Sequence, residues 1–227
     1  MYRERPGRGV VHCWWEQRVG DAGRMQRVVP DVCSDIIVTA DGTAVLVGPT
    51  TEVALHDLAP GTDFRGLRFR TEALGTTLRL RAHELRDATL PLSALLPDDV
   101  ARRVAEEVWL GRFPAGLRPD PVEPRLAYAV RRLWQGVTGV AAVAEEVNVA
   151  ERHLRRLFLD HTGVGPKAVQ RVGRFQRFLR AGESGELNLA GLAALAGYAD
   201  QAHLTREVRA LTGLSPGALL RERRSPG

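Results

Sequence analysis

The feature that most constrains this 227-residue chain is an internal repeat. VAEEVNVAERHLRRLFLDHTGVGP (143–166) and LAALAGYADQAHLTREVRALTGLSP (192–216) align on a terminal Gly-x-x-Pro. His153, Leu154, Arg156, Thr162, Gly163 and Pro166 then match His203, Leu204, Arg206, Thr212, Gly213 and Pro216, each 50 residues further on. Upstream, Ala144 pairs with Ala193 at an offset of 49, so the turn of the second copy is one residue longer. Two copies of one plan must fold alike. A short helix carries apolar residues at spacing three to four (Val143 and Val147; Leu192 and Leu195). A tight turn follows, with Asn148 or Gly197 where a left-handed backbone is needed. A second helix then buries Leu154, Leu157 and Phe158, or Leu204, Val208 and Leu211. Gly163 and Gly213 end it, and Pro166 and Pro216 open the next helix. Helix, short turn and amphipathic helix is the helix-turn-helix plan.

The face opposite the core decides what such a unit can do. An α-helix fits the major groove of DNA, where base edges differ from pair to pair. The outward residues of the first copy are Glu151, Arg152, Arg155 and, along the edge, Arg156. Arginine can bond guanine bidentately, about 1–3 kcal/mol of discrimination per pair. The second copy turns out Gln201, Ala202, Thr205 and Arg206. Glutamine suits adenine, and alanine or a threonine methyl suits thymine. A solvated helix face is the plainer explanation of exposed arginines, and the repetition weighs against it. His153 and His203 lie beside core positions and are expected to brace the helix. Charge agrees in direction. Residues 1–120 hold 16 Arg against 17 acids, whereas 121–227 hold 16 basic residues against 10 acids. A basic half beside a near-neutral half suggests that one half meets a polyanion.

Ahead of the repeat the period changes. Residues 1–72 hold short runs rich in Val, Ile, Thr and aromatics (GVVHCWWEQ, RMQRVVP, DIIVTA, TAVLVGP, TEVALHDL, FRGLRFRT) separated by turn residues such as 40–43. They predict a small antiparallel barrel or half-barrel. Short helices are expected over 73–80 and 82–87, and a stronger one after Pro97, capped by Asp98 or Asp99. The proline-rich stretch 111–124 reads as a linker. The predicted class is α+β: a β-rich sensor or dimerisation domain over 1–110, the linker over 111–124, and an all-α domain over 125–224 with two helix-turn-helix motifs joined by a long helix.

At HLRRLF (153–158), TGVGP (162–166), RVGRFQRFL (171–179), LAGLAALAGYADQAHLTREV (189–208) and TGLSPGALLRER (212–223) the chain resembles the AraC/XylS family of transcription regulators. The resemblance covers about 100 residues, 122–224, and Gly-Tyr-x-Asp-x-x-His-Leu-x-Arg is its most specific string. It implies a linker helix, here 166–181, that holds the recognition helices about one turn of DNA, roughly 34 Å, apart. Arg174 matches the arginine usual in that helix, which implies a structural and phosphate-facing role. Lys167 and Arg171 are expected at phosphates beside it. The chain departs from the family at Ala150, where Ser or Thr usually caps the first recognition helix, and at Val208, where an aromatic is usual. His12-Cys-Trp-Trp, PDVCSDIIV (30–38), VGP (47–49) and GLRFR (66–70) resemble the β-rich sensor domain, of unassigned function, that precedes this unit in some members.

An effector pocket in that domain is expected to draw on Trp14, Trp15, Asp31, Cys33, Asp35, His56 and Arg68. Strand alternation lets only one of the two tryptophans enter it. His12, Cys13, Cys33, His56 and His83 suit a metal chemically, but their spacing matches no standard ligand pattern. A redox pair of Cys13 and Cys33 stays open beside the simpler reading that they pack. No phosphate loop or hydrolase elbow is present, so an enzyme is not expected, and neither is a cofactor. Without a signal peptide or an apolar span of about 18 residues, the chain is expected in the cytoplasm and off the membrane. The expected partners are double-stranded DNA, a small-molecule effector, a second copy of the chain, and RNA polymerase if the output is activation. Two rivals remain: a small-molecule or metal sensor whose helical half binds a protein partner, and a DNA-repair methyl acceptor using Cys13 or Cys33.

Overall fold

The first 91 residues form eight antiparallel strands: β1 (Tyr2–Pro6), β2 (Val11–Arg18), β3 (Arg24–Val28), β4 (Asp35–Thr39), β5 (Ala44–Val47), β6 (Ala54–Leu58), β7 (Asp63–Phe69) and β8 (Thr89–Pro91). The structure, a computed structural model, describes residues 1–136, 138–183, 185 and 188–224. Six strands form one sheet in the order β1-β2-β7-β4-β5-β8, and β3 pairs with β6 alone. The expected barrel does not close. Residues 29–34, between β3 and β4, hold Pro30 and the left-handed Val32 (φ 49°) and leave the sheet altogether. β1 and β8 were not expected. β1 (YRERP) is polar and fully exposed, and β8 is three residues long, so neither carries an apolar pattern.

One face of the large sheet buries Ile36, Val38, Leu46, Leu67 and Phe69 against α2 (Asp98–Trp109), through its Val104, Ala105 and Val108. α1 (Leu74–Leu78) and a 3-10 turn over Ala82–Leu85 lie between sheet and helix in sequence. Asp98 and Asp99 do not cap α2. The N-cap is Pro97, and Asp99 instead holds Arg103 at 2.7 Å. Both acids still lie in the first turn, where the helix dipole favours them. Residues 111–123 form no helix or strand, yet Leu117 is buried in the β-half core.

Two small cores divide the helical half. The first packs α3 (Pro124–Gln135), α4 (Val140–Glu146) and α5 (Glu151–Thr162) around Leu126, Leu133, Val143, Leu154 and Phe158. The second packs α7 (Leu189–Ala196), α8 (Gln201–Thr212) and α9 (Pro216–Arg224) around Leu192, Ala196, Leu204, Val208 and Leu219. One helix serves both. α6 (Pro166–Glu183) gives Val169 and Val172 to the first core and Phe175, Phe178 and Leu179 to the second. Gly173 sits at the changeover, where a Cβ would come 2.7 Å from the Trp134 carbonyl oxygen. One turn on, Arg177 donates to the carbonyls of Trp134 and Ala196, the latter at 3.0 Å, and so ties the ends of α3 and α7 to one side chain.

The β half docks on this pair of units. Gly75 and Gly163 allow backbone contact there, since a Cβ at 75 would lie 2.5 Å from the Asp160 carbonyl and one at 163 would lie 2.7 Å from that of Ala82. The segment after β3 does the rest. Val29 packs on the second core, and Val32 is buried within the first. Gln176 of α6 donates to the Pro30 carbonyl at 2.6 Å. Arg27 donates to Glu222 at 2.9 Å and to the Thr212 carbonyl at 3.1 Å. We call residues 27–33 the strap.

Candidate nucleic-acid interface and ligand cavity

The six repeated identities separate by what they do. Leu154 and Leu204 are fully buried. Thr162 and Thr212 make matching bonds: each hydroxyl donates back one turn, to Phe158 and Val208, and accepts from the amide of Val164 or Leu214. Gly163 and Gly213 close the helices in the left-handed region, with φ of 79° and 75°, at little steric cost for glycine alone. Pro166 and Pro216 start the next helices and are buried. The histidines brace locally. Nδ1 of His153 lies 3.0 Å from Arg156, and His203 meets the Tyr198 ring edge-on at 5.2 Å. Arg156 and Arg206 are the pair that stays exposed, so packing does not explain their recurrence.

Around them the open faces take shape. Glu151, Arg152, Arg155 and Arg156 are exposed on α5, and Gln201, Ala202 and Arg206 on α8. Thr205 is half-buried, its hydroxyl donating back to the Gln201 carbonyl at 2.8 Å. The turns differ as their sequences require. Asn148 takes φ 54° in the first and Gly197 φ 86° in the second. Asp200 accepts from the His203 amide at 2.6 Å and caps α8, while Ala150 provides α5 with no side-chain cap. Asp200→Ala therefore destabilises the second unit by about 1 kcal/mol, read as a lower denaturant midpoint, whereas Ala150→Ser stabilises the first by a similar amount.

The three candidate phosphate residues fare unequally. Lys167 is exposed at the start of α6. Arg171 is held by Glu207 of α8 at 2.7 Å. Arg174 lies over the Tyr198 ring at 5.6 Å, and its buried Nε finds no hydrogen-bond partner among the described residues. Arg171 thus braces α8 against α6, and Arg174 packs on the turn that precedes α8. Burial pushes the Tyr198 hydroxyl up to about 12, against the pull of Arg174, so it stays a neutral phenol.

In the β half the second face of the large sheet is also apolar. Ile37, Val45, Val47 and Phe64 look across to β3 and β6 over a cavity of about 630 Å³. Trp15, Asp31, Asp35, His56 and Arg68 line it as well. Trp14 does not. It points to the opposite face, against the α2 core, with the Arg5 guanidinium 5.1 Å from its ring. Cys33 is not a lining residue either, and only its amide takes part, donating to Asp31 at 2.9 Å. Tyr2, Arg27 and Thr50 line the cavity without having been singled out from the sequence. A signal for the apolar wall existed, since DIIV and AVLV are apolar at consecutive positions, the mark of a sheet covered on both faces.

The polar end of the cavity is built around Arg68. Its Nε and Nη2 donate to Asp35 at 3.0 and 3.1 Å, and Nη1 lies 3.2 Å from Asp31. Burial opposes the guanidinium charge, and the two carboxylates outweigh it. Burial also pushes Asp31 above the usual carboxylate range, although Arg68 pulls the other way. The indole of Trp15 donates to Asp35 at 2.7 Å. Its ring lies flat on β7 because Gly66 stands opposite, where a Cβ would come 2.1 Å from the ring. Burial drives both thiols up, Cys13 to about 11 and Cys33 well above its ordinary value, so neither is a ready nucleophile. Among the described residues no three His, Cys, Asp or Glu side chains gather as a metal site would need. No described helix is long and apolar enough to cross a membrane.

Comparison with known proteins agrees with this division. Residues 143–222 match the model of a helix-turn-helix domain family (HTH_18), and residues 8–91 match a domain of unknown function (DUF6597). No curated protein matches the chain. Among solved structures, the C-terminal domain of AraT, a response regulator from Geobacillus stearothermophilus, superposes with a TM-score of 0.43 at 21% identity, over 48% of this chain and 92% of that one. ToxT from Vibrio cholerae superposes with a TM-score of 0.48 at 10% identity, over 93% of this chain and 97% of that one. ToxT with a bound unsaturated fatty acid gives 0.45 at 13% identity, over 91% and 93%. The duplicated unit and its shared central helix fall within residues 143–222, the part of the chain that matches the helix-turn-helix domain model, so this segment is a helix-turn-helix domain.

Proposed function

We propose that this is a one-component regulator of the cytoplasm whose β half senses a small molecule and whose segment 125–224 reads an operator. Glu151, Arg152, Arg155 and Arg156 would face the bases of one major-groove segment, and Gln201, Ala202, Thr205 and Arg206 those of the next. Lys167 is the phosphate contact we favour, because Arg171 and Arg174 already have internal duties. RNA polymerase joins the partners where the output is activation.

The observation that carries the effector reading is the strap. Arg27, Val28, Val29 and Asp31 line the cavity on one side. The same segment places Val32 in the first helix-turn-helix core, Val29 on the second, and Arg27 on the end of α8 and on α9. Val32 holds a left-handed backbone that a β-branched residue rarely adopts, so the packing there imposes its conformation. A ligand that moves the strap must move both units.

The test is selection of bound DNA from a random pool with the full chain, followed by gel shifts on the selected operator. Arg27→Met is expected to change operator affinity about fivefold or more without any ligand, as a coupling of about 1 kcal/mol requires. Arg24→Met, on the cavity wall without a bridge to the helices, is expected to leave it unchanged. Binding must also fall steeply with salt. No enriched sequence, or a shift indifferent to salt, would return the helical half to a protein-binding role. Arg27→Met binding like wild type would remove the strap.

A further inference from the structure

We propose that the cavity of the β half takes an organic cation, a primary or secondary ammonium carried on an apolar body. The inference rests on reading that cavity as the effector site and adds the chemistry of its occupant.

Charge at the closed end decides it. Two carboxylates, Asp31 and Asp35, face one guanidinium, Arg68. The other charges on the cavity wall are spoken for or stand at its mouth. Arg27 is paired with Glu222, Arg223 with Glu183, and Asp87 accepts from Thr51, while Arg24, Glu52 and His56 are exposed. With both carboxylates ionised the end carries one negative charge in excess. An anionic ligand would need Arg68, whose Nε, Nη1 and Nη2 each already face a carboxylate oxygen. It would have to displace a half-buried or buried carboxylate and leave that unpaired, which is strongly unfavourable. A cation meets no such competition.

Acceptor capacity points the same way. Both oxygens of Asp35 are taken up by Arg68 and Trp15. On Asp31, Oδ1 accepts from the Cys33 amide and lies 3.4 Å from Thr50, whereas Oδ2 has Arg68 alone. A carboxylate oxygen has room for a second donor, and an ammonium N–H supplies it with a charge-assisted bond. Tyr2 and Trp15, whose rings lie 6.0 Å apart at the same end, offer aromatic faces that attract a cation. Burial drives Asp31 toward its neutral acid, and a neighbouring ammonium is what would hold it ionised. Beyond this end the wall is aliphatic, and about 630 Å³ holds a drug-sized apolar body.

The experiment is isothermal titration of the full chain with three probes of matched shape: 4-phenylbutylamine, 4-phenylbutanol and 4-phenylbutyrate. The amine is expected to bind about tenfold or more tighter than the alcohol, as one charge-assisted bond supplies, and the carboxylate weakest. Asp31→Asn keeps the acceptor for the Cys33 amide. It should bring the amine down to the level of the alcohol while leaving the alcohol unchanged. Carboxylate binding as tight as the amine, or an amine preference that survives Asp31→Asn, overturns the proposal. If the three probes bind with equal affinity and Val47→Trp abolishes all binding, the cavity is a ligand site and only its cation chemistry is wrong. Ala54→Phe serves should Val47→Trp fail to fold. Binding of none of the three counts against the cavity reading and the cation together.

Discussion

Arg152→Ala combined with Arg155→Ala is expected to remove most of the operator preference of this protein. Each bidentate arginine–guanine pair is worth about 1–3 kcal/mol of discrimination, so the pair together gives roughly 30-fold to about twenty-thousandfold if the two add. Both side chains are exposed on the first two turns of α5, the end of a recognition helix that enters the groove. The selected operator and a scrambled duplex should be titrated side by side. Affinity for the operator falls toward that for the scrambled duplex, while the latter drops only by the loss of two nearby positive charges. Lys167→Ala should show the opposite pattern, lowering both about equally and reducing the salt slope by about one. A double variant that keeps its operator preference would take base reading away from α5.

Phe158→Ala is expected to have the largest effect on stability. The ring is fully buried in the first core, about one turn along α5 from Arg155 and under two from Arg152. Its loss costs about 3–5 kcal/mol, comparable with the whole stability of a small unit. The second core, with its own Phe175 and Phe178, is untouched. Calorimetry should therefore resolve a low-temperature transition of the first unit from the later melting of the second. DNA binding should be lost across the first of these. A single transition shifted as a whole would show that α6 and Arg177 weld the two cores into one cooperative body.

The helical half was legible because its duplication isolates function from packing. Matching Leu154 with Leu204, or Thr162 with Thr212, needs only a shared fold, but matching two exposed arginines needs a shared use. The weak cap at Ala150 and the good one at Asp200 were equally plain, since capping is a local property. The β half was legible strand by strand and no further. Period-two alternation gives a strand two faces without saying what covers each, so Trp14 and Trp15 could be separated and the occupied side could not be chosen. Arg171 read as a plain phosphate contact because Glu207 reaches it only through the fold. The strap was invisible for the same reason. Val29, Pro30 and Val32 look like the end of a strand, and their partners lie more than 90 residues away.

The place where the β half docks has a consequence for promoters. It holds α5 by its C-terminal end, at Asp160–Gly163, and leaves the residues of the first two turns open. In this arrangement the β half does not mask the outward residues of α5. What the strap can alter is the separation and phase of two heads mounted on one helix. A signal acting through it would change which half-site spacing the protein accepts, and one base pair inserted between the half-sites of a natural operator would imitate or cancel that signal.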